Sequence, residues 1–196
     1  EAAKHISDHT LVCSGTSGLS IDEMAEVLPK QYRGNFMGMH FFNPPYNMPL
    51  CELVGSEYVE GKKLEEIKKY LEETLLRTVV IVKDCPAFMG NRIGFFLINL
   101  AVQYAEIYKD RGGVDYIDAI MGPFTGRNMA PIRTADFVGL DVHKAIVDNV
   151  YKNTNDYAKE AFRLPEYVEK LIGAGRLGYK TKEGLYKTIQ TEAGKK

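Results

Sequence analysis

Short apolar runs separated by polar or amphipathic stretches make up the first part of the chain. Four runs have the length and composition of buried β-strands: Thr10–Ser14, Phe36–Phe42, Leu50–Val54 and Thr78–Val82. The second run must end at Asn43-Pro44-Pro45, because proline supplies no N–H to a strand ladder and restricts the residue before it. The pattern predicts the tail of an open α/β domain that reaches to about residue 85.

Two helices are predicted between these strands. Ser20 and Glu23 have the S-x-x-E spacing of a capping box, which favours a helix that runs to about Leu28 and is closed by Pro29. Residues 64–76 are amphipathic and place four apolar side chains on one helical face: Leu64, Ile67, Leu71 and Leu75.

The pattern changes at about Pro86 and becomes helical to the end of the chain. Four helical segments are predicted, at Asn91–Lys109, Tyr116–Met121, Ala135–Tyr151 and Pro165–Ile172. A strand signal reappears only at Leu185-Tyr186. We therefore predict two domains, an α/β part over residues 1–85 and an all-α part over residues 86–196.

Composition excludes several classes of protein. Of the 196 residues, 45% are hydrophobic and 26% charged, and the net charge of -1 gives no reason to expect a nucleic-acid or anionic-membrane partner. No apolar run is long enough to cross a bilayer. The three cysteines form no C-x-x-C pair, so we expect neither a metal site nor disulfides, and a cytoplasmic location.

His40 is the titratable residue with the most suggestive position. It lies late in one predicted strand, and Glu52 lies in the next, so a tight connection can bring the two side chains together. A carboxylate beside an imidazole fixes its tautomer and stabilises its charged form, which suits a general base. The alternative is a structural histidine at a strand end with an exposed glutamate nearby.

Ser17 and Asn91 are two further candidates, each with an ordinary structural explanation. Ser17 stands in a turn of small residues, where a ligand could approach the backbone, but turn chemistry alone also explains it. Asn91 opens the long helix and could be its N-cap. The other histidines, His5, His9 and His143, are assigned no role.

Five strings in order along the chain resemble one family, the L-3-hydroxyacyl-CoA dehydrogenases. S-G-T-S-G-L resembles the family's S-N-T-S-S-L turn, and M-H-F-F-N-P-P-Y-N-M-P-L-C-E-L resembles its HFFNP…M-x-L-x-E signature. D-C-P-A-F-M-G-N-R resembles the D-x-P-G-F-x-x-N-R junction. M-G-P-F…D-F-V-G-L-D and G-Y-K-T-K-E-G-L-Y-K resemble patterns of the helical domain.

The resemblance implies the carboxy-terminal part of a Rossmann-type NAD-binding domain followed by a helical domain that forms a homodimer. The implied reaction is NAD-dependent oxidation of L-3-hydroxyacyl-CoA to 3-oxoacyl-CoA in fatty-acid β-oxidation. His40 would be the general base and Glu52 would orient it. Ser17 and Asn91 would bind the acyl-CoA substrate, and Ser17 and Asn43 would also lie at the cofactor.

Three departures from the family pattern accompany this resemblance. Gly15 replaces the asparagine of the S-N-T turn, which puts a side-chain contact near the nicotinamide in doubt. The stretch Gly122–Thr134 looks more like the form fused to a crotonase-like hydratase domain, and residues 188–196 would then begin a linker. We expect no G-x-G-x-x-G in the chain, so that the main phosphate-binding loop would be missing and the chain alone inactive.

Two other functions remain open. A non-catalytic dimerisation or scaffold module of the same fold is the first, although the presence of all four candidate residues argues against it. A hydroxyacid or sugar-acid dehydrogenase of similar architecture is the second, and the lysine-dependent sugar-acid enzymes allow a test. These enzymes place a catalytic lysine on the long helix, where Asn91-Arg92-Ile93-Gly94 offers none.

Overall fold

The structure is a computed structural model that describes residues 5–7, 9–155, 157–191 and 194–195. The chain divides into two compact units, Glu1–Asn91 and Arg92–Lys196. The predicted start of a linker, at residues 188–196, lies in part outside the described residues.

A four-stranded mixed sheet forms the centre of the first unit. Its strands, in spatial order, are β1 Val12–Ser14, β2 Phe36–Phe41, β3 Leu50–Gly55 and β4 Thr78–Val82. The β1–β2 and β3–β4 pairs are parallel, whereas β2 and β3 are antiparallel. All four predicted strands are therefore confirmed, with β4 over the predicted range.

The two faces of the sheet carry separate apolar clusters, because successive side chains of a strand point to opposite faces. One face packs on helix α1 (Ile21–Glu26), and its buried residues are Ile21, Ala25, Phe36, Val54 and Phe88. The other packs on helix α3 (Gly61–Glu73), and its buried residues are Met37, Cys51, Leu53, Leu71 and Val79. Burial on both sides explains why β2 is apolar at nearly every position.

Helix α1 depends on a close approach to the sheet. The capping box is confirmed on one side, since the hydroxyl of Ser20 accepts a hydrogen bond from the N–H of Glu23 at 3.2 Å. A Cβ on Gly38 would lie 2.9 Å from Ile21 Cδ1 and 3.0 Å from Val54 Cβ. Glycine in β2 therefore lets α1 pack directly on the strand.

Two helix boundaries in this unit differ from the sequence prediction. Helix α1 ends at Glu26, and Pro29 precedes a separate short helix, α2, over Lys30–Arg33. Helix α3 ends at Glu73, so Leu75 lies beyond the apolar face and is 43% exposed. The reversal at Leu76, whose φ is 52°, ends this helix.

The second unit is helical, as predicted. Its helices are α4 Gly90–Ile107, which begins in the first unit, then α5 Gly113–Met121, α6 Pro131–Val138, α7 Leu140–Asn153 and α8 Glu166–Gly173. Short strands β5 (Gln190–Thr191) and β6 (Gly194–Lys195) pair antiparallel. Among the described residues, no helix combines the length and the apolarity that a bilayer crossing requires.

The predicted helix Ala135–Tyr151 is wrong as a single element. Gly139 interrupts it with a φ of 104°, which separates α6 from α7. Helix α6 starts earlier, at Pro131, because the buried carboxylate of Asp118 accepts hydrogen bonds from the N–H groups of Ile132 and Arg133, both at 2.8 Å.

The predicted strand at Leu185-Tyr186 is also wrong. The N–H groups of these residues donate instead to the carboxylate of Asp136, at 2.6 and 3.3 Å. Gly178, whose φ is 96°, and Gly184 both lie against Asp136 without room for a Cβ. Residues 178–186 thus form a loop that surrounds the buried carboxylate of Asp136.

A buried polar network links α4, α7 and the segment after α7. The amide nitrogen of Asn99 donates to the carbonyls of Ala161 at 2.7 Å and Arg163 at 3.0 Å, so its oxygen faces Nε2 of His143 at 2.9 Å. His143 therefore carries its proton on Nε2, and its Nδ1 is buried without a partner among the described residues. Burial lowers the pKa of His143 from 6.5 to about 4.

Acidification should destabilise the helical unit through His143. Because the pKa is lower in the folded state, stability present above pH 6.5 is lost as the pH falls towards 4, at a cost of about 3 kcal/mol. Urea unfolding at pH 7 and pH 4.5 should show a smaller acid effect in His143→Gln, which keeps a donor to Asn99 but does not titrate. His9→Gln, at an exposed position, is the control. Equal pH dependence in all three proteins would contradict the assignment.

Candidate active site

His40 and Glu52 face each other across the antiparallel pair β2–β3. They are direct register partners, and His40 Nδ1 lies 2.7 Å from Glu52 Oε2. His40 is 4% exposed and Glu52 is fully buried. The strands therefore bring the two side chains together as expected, and the alternative of an exposed glutamate is wrong.

The second oxygen of Glu52 is held by the start of the long helix. Oε1 accepts hydrogen bonds from the N–H of Met89 at 2.9 Å and of Gly90 at 2.7 Å. These amides lie at the N-terminus of α4, where unpaired N–H groups and the helix dipole favour an anion. Sequence reasoning missed this contact, for which the D-C-P-A-F-M-G-N-R string was the available signal.

The hydrogen bonds keep Glu52 ionised in spite of its burial. Burial raises the pKa of the carboxyl, but the bonds from His40, Gly90 and Met89 outweigh it and hold the pKa below 4.5. The carboxylate thus stabilises the folded unit at neutral pH, and this contribution is lost as the pH falls below 4.5.

Aromatic rings fix the plane of the His40 imidazole. Its ring centroid lies 4.6 Å from that of Phe42 in an edge-to-face arrangement and 5.9 Å from that of Phe88. A Cβ on Gly90 would lie 2.5 Å from Phe42 Cζ, so glycine is needed where α4 begins. A carboxylate at Nδ1 holds the proton there, which leaves Nε2 as the basic nitrogen.

Asn91 and Ser17 are brought together in the same unit. Asn91 is the second residue of α4, and its Nδ2 donates to the backbone carbonyl of Ser17 at 3.2 Å. The N-cap interpretation of Asn91 is therefore wrong, because Gly90 already lies within the helix. Ser17 has an exposed side chain in the turn that follows β1.

The strands β1 and β2 are parallel, so their carboxyl ends lie on the same side of the sheet. Ser17 follows β1 and the exposed Asn43 follows β2, so both lie on the side where ligands bind in open α/β sheets. A Cβ on Gly15 would meet no atom of the described residues within 4 Å, so this part of the turn has room for an approaching group. A cofactor-binding role of Ser17 and Asn43 stays a prediction.

The sequence does contain one G-x-G-x-x-G string, formed by Gly173, Gly175 and Gly178. The expectation that the chain has none is therefore wrong. This string follows helix α8 instead of a strand, and Gly178 lies against the backbone of Asp136. A dinucleotide loop requires a strand before it and a helix after it. Among the described residues, no G-x-G-x-x-G has that setting.

Comparison with known proteins decides the family. A model of the 3-hydroxyacyl-CoA dehydrogenase NAD-binding domain matches residues 1–85, and one of the C-terminal domain of the same enzymes matches residues 88–188. The chain belongs to the 3-hydroxyacyl-CoA dehydrogenase family. The sheet of the first unit is accordingly part of a Rossmann-type NAD-binding domain, and the second unit is the helical C-terminal domain of that family.

Individual relatives agree with this assignment. The chain is 36% identical over 185 residues to a probable 3-hydroxyacyl-CoA dehydrogenase of Bacillus subtilis (strain 168), covering 94% of the chain and 23% of that protein. It is 34% identical over 201 residues to the fatty acid oxidation complex subunit alpha of Acinetobacter baumannii (strain AYE), covering 100% of the chain and 26% of that protein.

A solved structure gives the same result. The (S)-3-hydroxybutyryl-CoA dehydrogenase from Ralstonia eutropha has a TM-score of 0.81 and 29% identity, over 94% of this chain and 62% of that one. The chain therefore spans between about a quarter and three fifths of the relatives named here.

Replacing Glu52 with glutamine should change which nitrogen of His40 carries the proton. A glutamine amide that keeps its oxygen on Met89 and Gly90 must present its NH2 to Nδ1, so the proton moves to Nε2. Nitrogen-15 NMR should show an Nδ1–H tautomer in the wild type and an Nε2–H tautomer in Glu52→Gln. His143 in the same spectrum is the internal control, since its Nε2–H form should not change. An unaltered His40 signal would show that Glu52 does not set the tautomer.

Proposed function

We propose that the protein oxidises L-3-hydroxyacyl-CoA to 3-oxoacyl-CoA with NAD in fatty-acid β-oxidation. The observation that carries the proposal is the buried His40–Glu52 pair, anchored on the first amides of α4 and situated near the carboxyl end of β2. The names of the relatives from Bacillus subtilis and Acinetobacter baumannii support the same reaction and pathway.

Each residue of the site has a role in this proposal. His40 Nε2 takes the proton of the 3-hydroxyl, and the electron pair of the O–H bond forms the carbonyl as hydride leaves C3. Glu52 remains ionised and stabilises the imidazolium that results. When bound, NAD supplies the hydride acceptor. Ser17 and Asn91 would hydrogen-bond the substrate, and Ser17 and Asn43 would contact the cofactor.

The proposed location is the cytoplasm. All three cysteines are free: Cys13, Cys51 and Cys85. Free thiols suit a reducing compartment, and no membrane-crossing helix is found in the described residues.

His40→Gln should abolish most of the activity in the enzyme with a complete nucleotide-binding domain. Loss of a general base lowers kcat by about 10²–10⁴-fold, whereas KM should change little because the substrate contacts remain. Steady-state reduction of acetoacetyl-CoA by NADH measures both constants, and His9→Gln provides a matched surface control. A kcat equal to that of the wild type would rule out the proposed base.

The 196-residue chain by itself should neither bind NADH measurably nor turn over substrate. Nucleotide affinity depends on a glycine-rich loop between a strand and a helix, and the described residues contain none in that setting. Isothermal titration calorimetry with NADH tests this directly. Micromolar affinity would mean that the cofactor is held mainly by residues 1–85.

We further propose a homodimer formed through the helical unit. Five apolar residues of this unit are candidates for the interface: Phe95, Phe96, Phe124, Ile132 and Phe137. Phe95 and Ile132 are buried within the unit and Phe96 is half-buried, whereas Phe124 is 91% and Phe137 is 57% exposed. Sedimentation should show a dimer in the wild type and a shift towards monomer in the double variant Phe124→Ser, Phe137→Ser. A wild-type monomer at high concentration would remove the proposal.

A further inference from the structure

The turn at residues 85–88 places the amides of Met89 and Gly90 against Glu52. We call it the left-handed turn, because two of its residues have a positive φ. Ala87 and Phe88 are consecutive non-glycine residues with φ of 63° and 48°. The left-handed region costs an L-residue about 1–2 kcal/mol, so surrounding contacts must hold this conformation. Ala87 is 2% and Phe88 is 1% exposed, and the N–H of Phe88 donates to the carbonyl of Cys85 at 2.9 Å.

Gly18 supplies one of these contacts. A Cβ on Gly18 would lie 2.6 Å from the backbone nitrogen of Ala87 and 2.7 Å from its Cα, and the φ of Gly18 is 146°. The backbone of the Ser17 turn therefore packs directly on the backbone of the left-handed turn. The hydrogen bond from Asn91 to the Ser17 carbonyl joins the same two segments a few residues further on.

Residues 18 and 87 constrain each other, because a Cβ at position 18 would overlap the backbone of Ala87. A glycine at position 87 could shift the turn and make room for a side chain at position 18. A buried alanine in a left-handed conformation leaves much less freedom to do so.

We propose that Gly18 and Ala87 are a matched pair of positioning residues, whose contact sets the distance between the Ser17 turn and the amides that hold Glu52. This inference rests on the proposed function, because it concerns how the substrate-binding turn is placed relative to the base. Neither residue touches the reacting atoms, and both act through the backbone of the turn.

A double-mutant cycle tests the pair. Gly18→Ser alone should push the turn away from Glu52. Ala87→Gly added to it should recover part of this displacement, because a glycine lets the backbone that the new Cβ meets shift, whereas the φ of 146° at position 18 remains strained for serine. Amide hydrogen exchange at Met89 and Gly90 should be about tenfold faster in Gly18→Ser, relative to the amide of Leu53 in the β2–β3 ladder, and should slow again in the double variant. Gly15→Ser is the matched control in the same turn, since its Cβ meets no atom.

Each outcome bears on the proposal. Gly18→Ser could lower the stability of the whole unit and accelerate amide exchange equally at Met89, Gly90 and Leu53. That result would indicate a merely structural role and would overturn the proposal. The proposal would also be overturned if the change in exchange rate in the double variant equalled the product of the changes in the two single variants. Such a result means that the two sites are not coupled, because the effects of uncoupled sites add in free energy. Failure of the proposed function would appear separately, as activity retained in His40→Gln. The exchange rates need neither substrate nor cofactor.

Discussion

The buried carboxylate of Glu52 is the constraint on which the α/β unit depends. A charge without solvent must be compensated by hydrogen bonds, and removing one partner of such a buried pair costs about 3–5 kcal/mol. Glu52 has three such bonds: one from His40 on β2, and two from the amides of Met89 and Gly90. The strand register and the starting point of α4 are therefore fixed together, and the imidazole is oriented as a consequence.

A second carboxylate, that of Asp84, joins the segment before α4 to the start of α1. Asp84, just after β4, accepts hydrogen bonds from the hydroxyl of Ser20 at 2.9 Å and the N–H of Asp22 at 3.0 Å. The D-C-P-A-F-M-G-N-R string is thus a structural junction: it begins with an anchor to α1 and ends with the amides that hold Glu52.

The helical unit also contains buried carboxylates that accept backbone hydrogen bonds. Asp118 holds the start of α6, and Asp136 holds the loop that closes the family pattern. Asn99 satisfies two carbonyls and orients the fully buried His143. The two buried histidines differ in one respect. His40 has a carboxylate at Nδ1, whereas the described residues place none beside His143, and burial lowers the pKa of His143 and favours its neutral form.

The sequence by itself determined the elements whose signal is local. Strand β4 lies over the predicted residues, the Ser20 cap forms as its spacing indicates, and the pairing of His40 with Glu52 follows from two strands and a proline turn. Only the tertiary structure decided which distant groups meet. The amides on Glu52 come from 37 and 38 residues further along the chain, and Leu185 and Tyr186 donate to Asp136 across 49 and 50 residues. Periodicity and turn chemistry report each residue's near neighbours, whereas the satisfaction of a buried charge depends on contacts that exist only after the chain has folded.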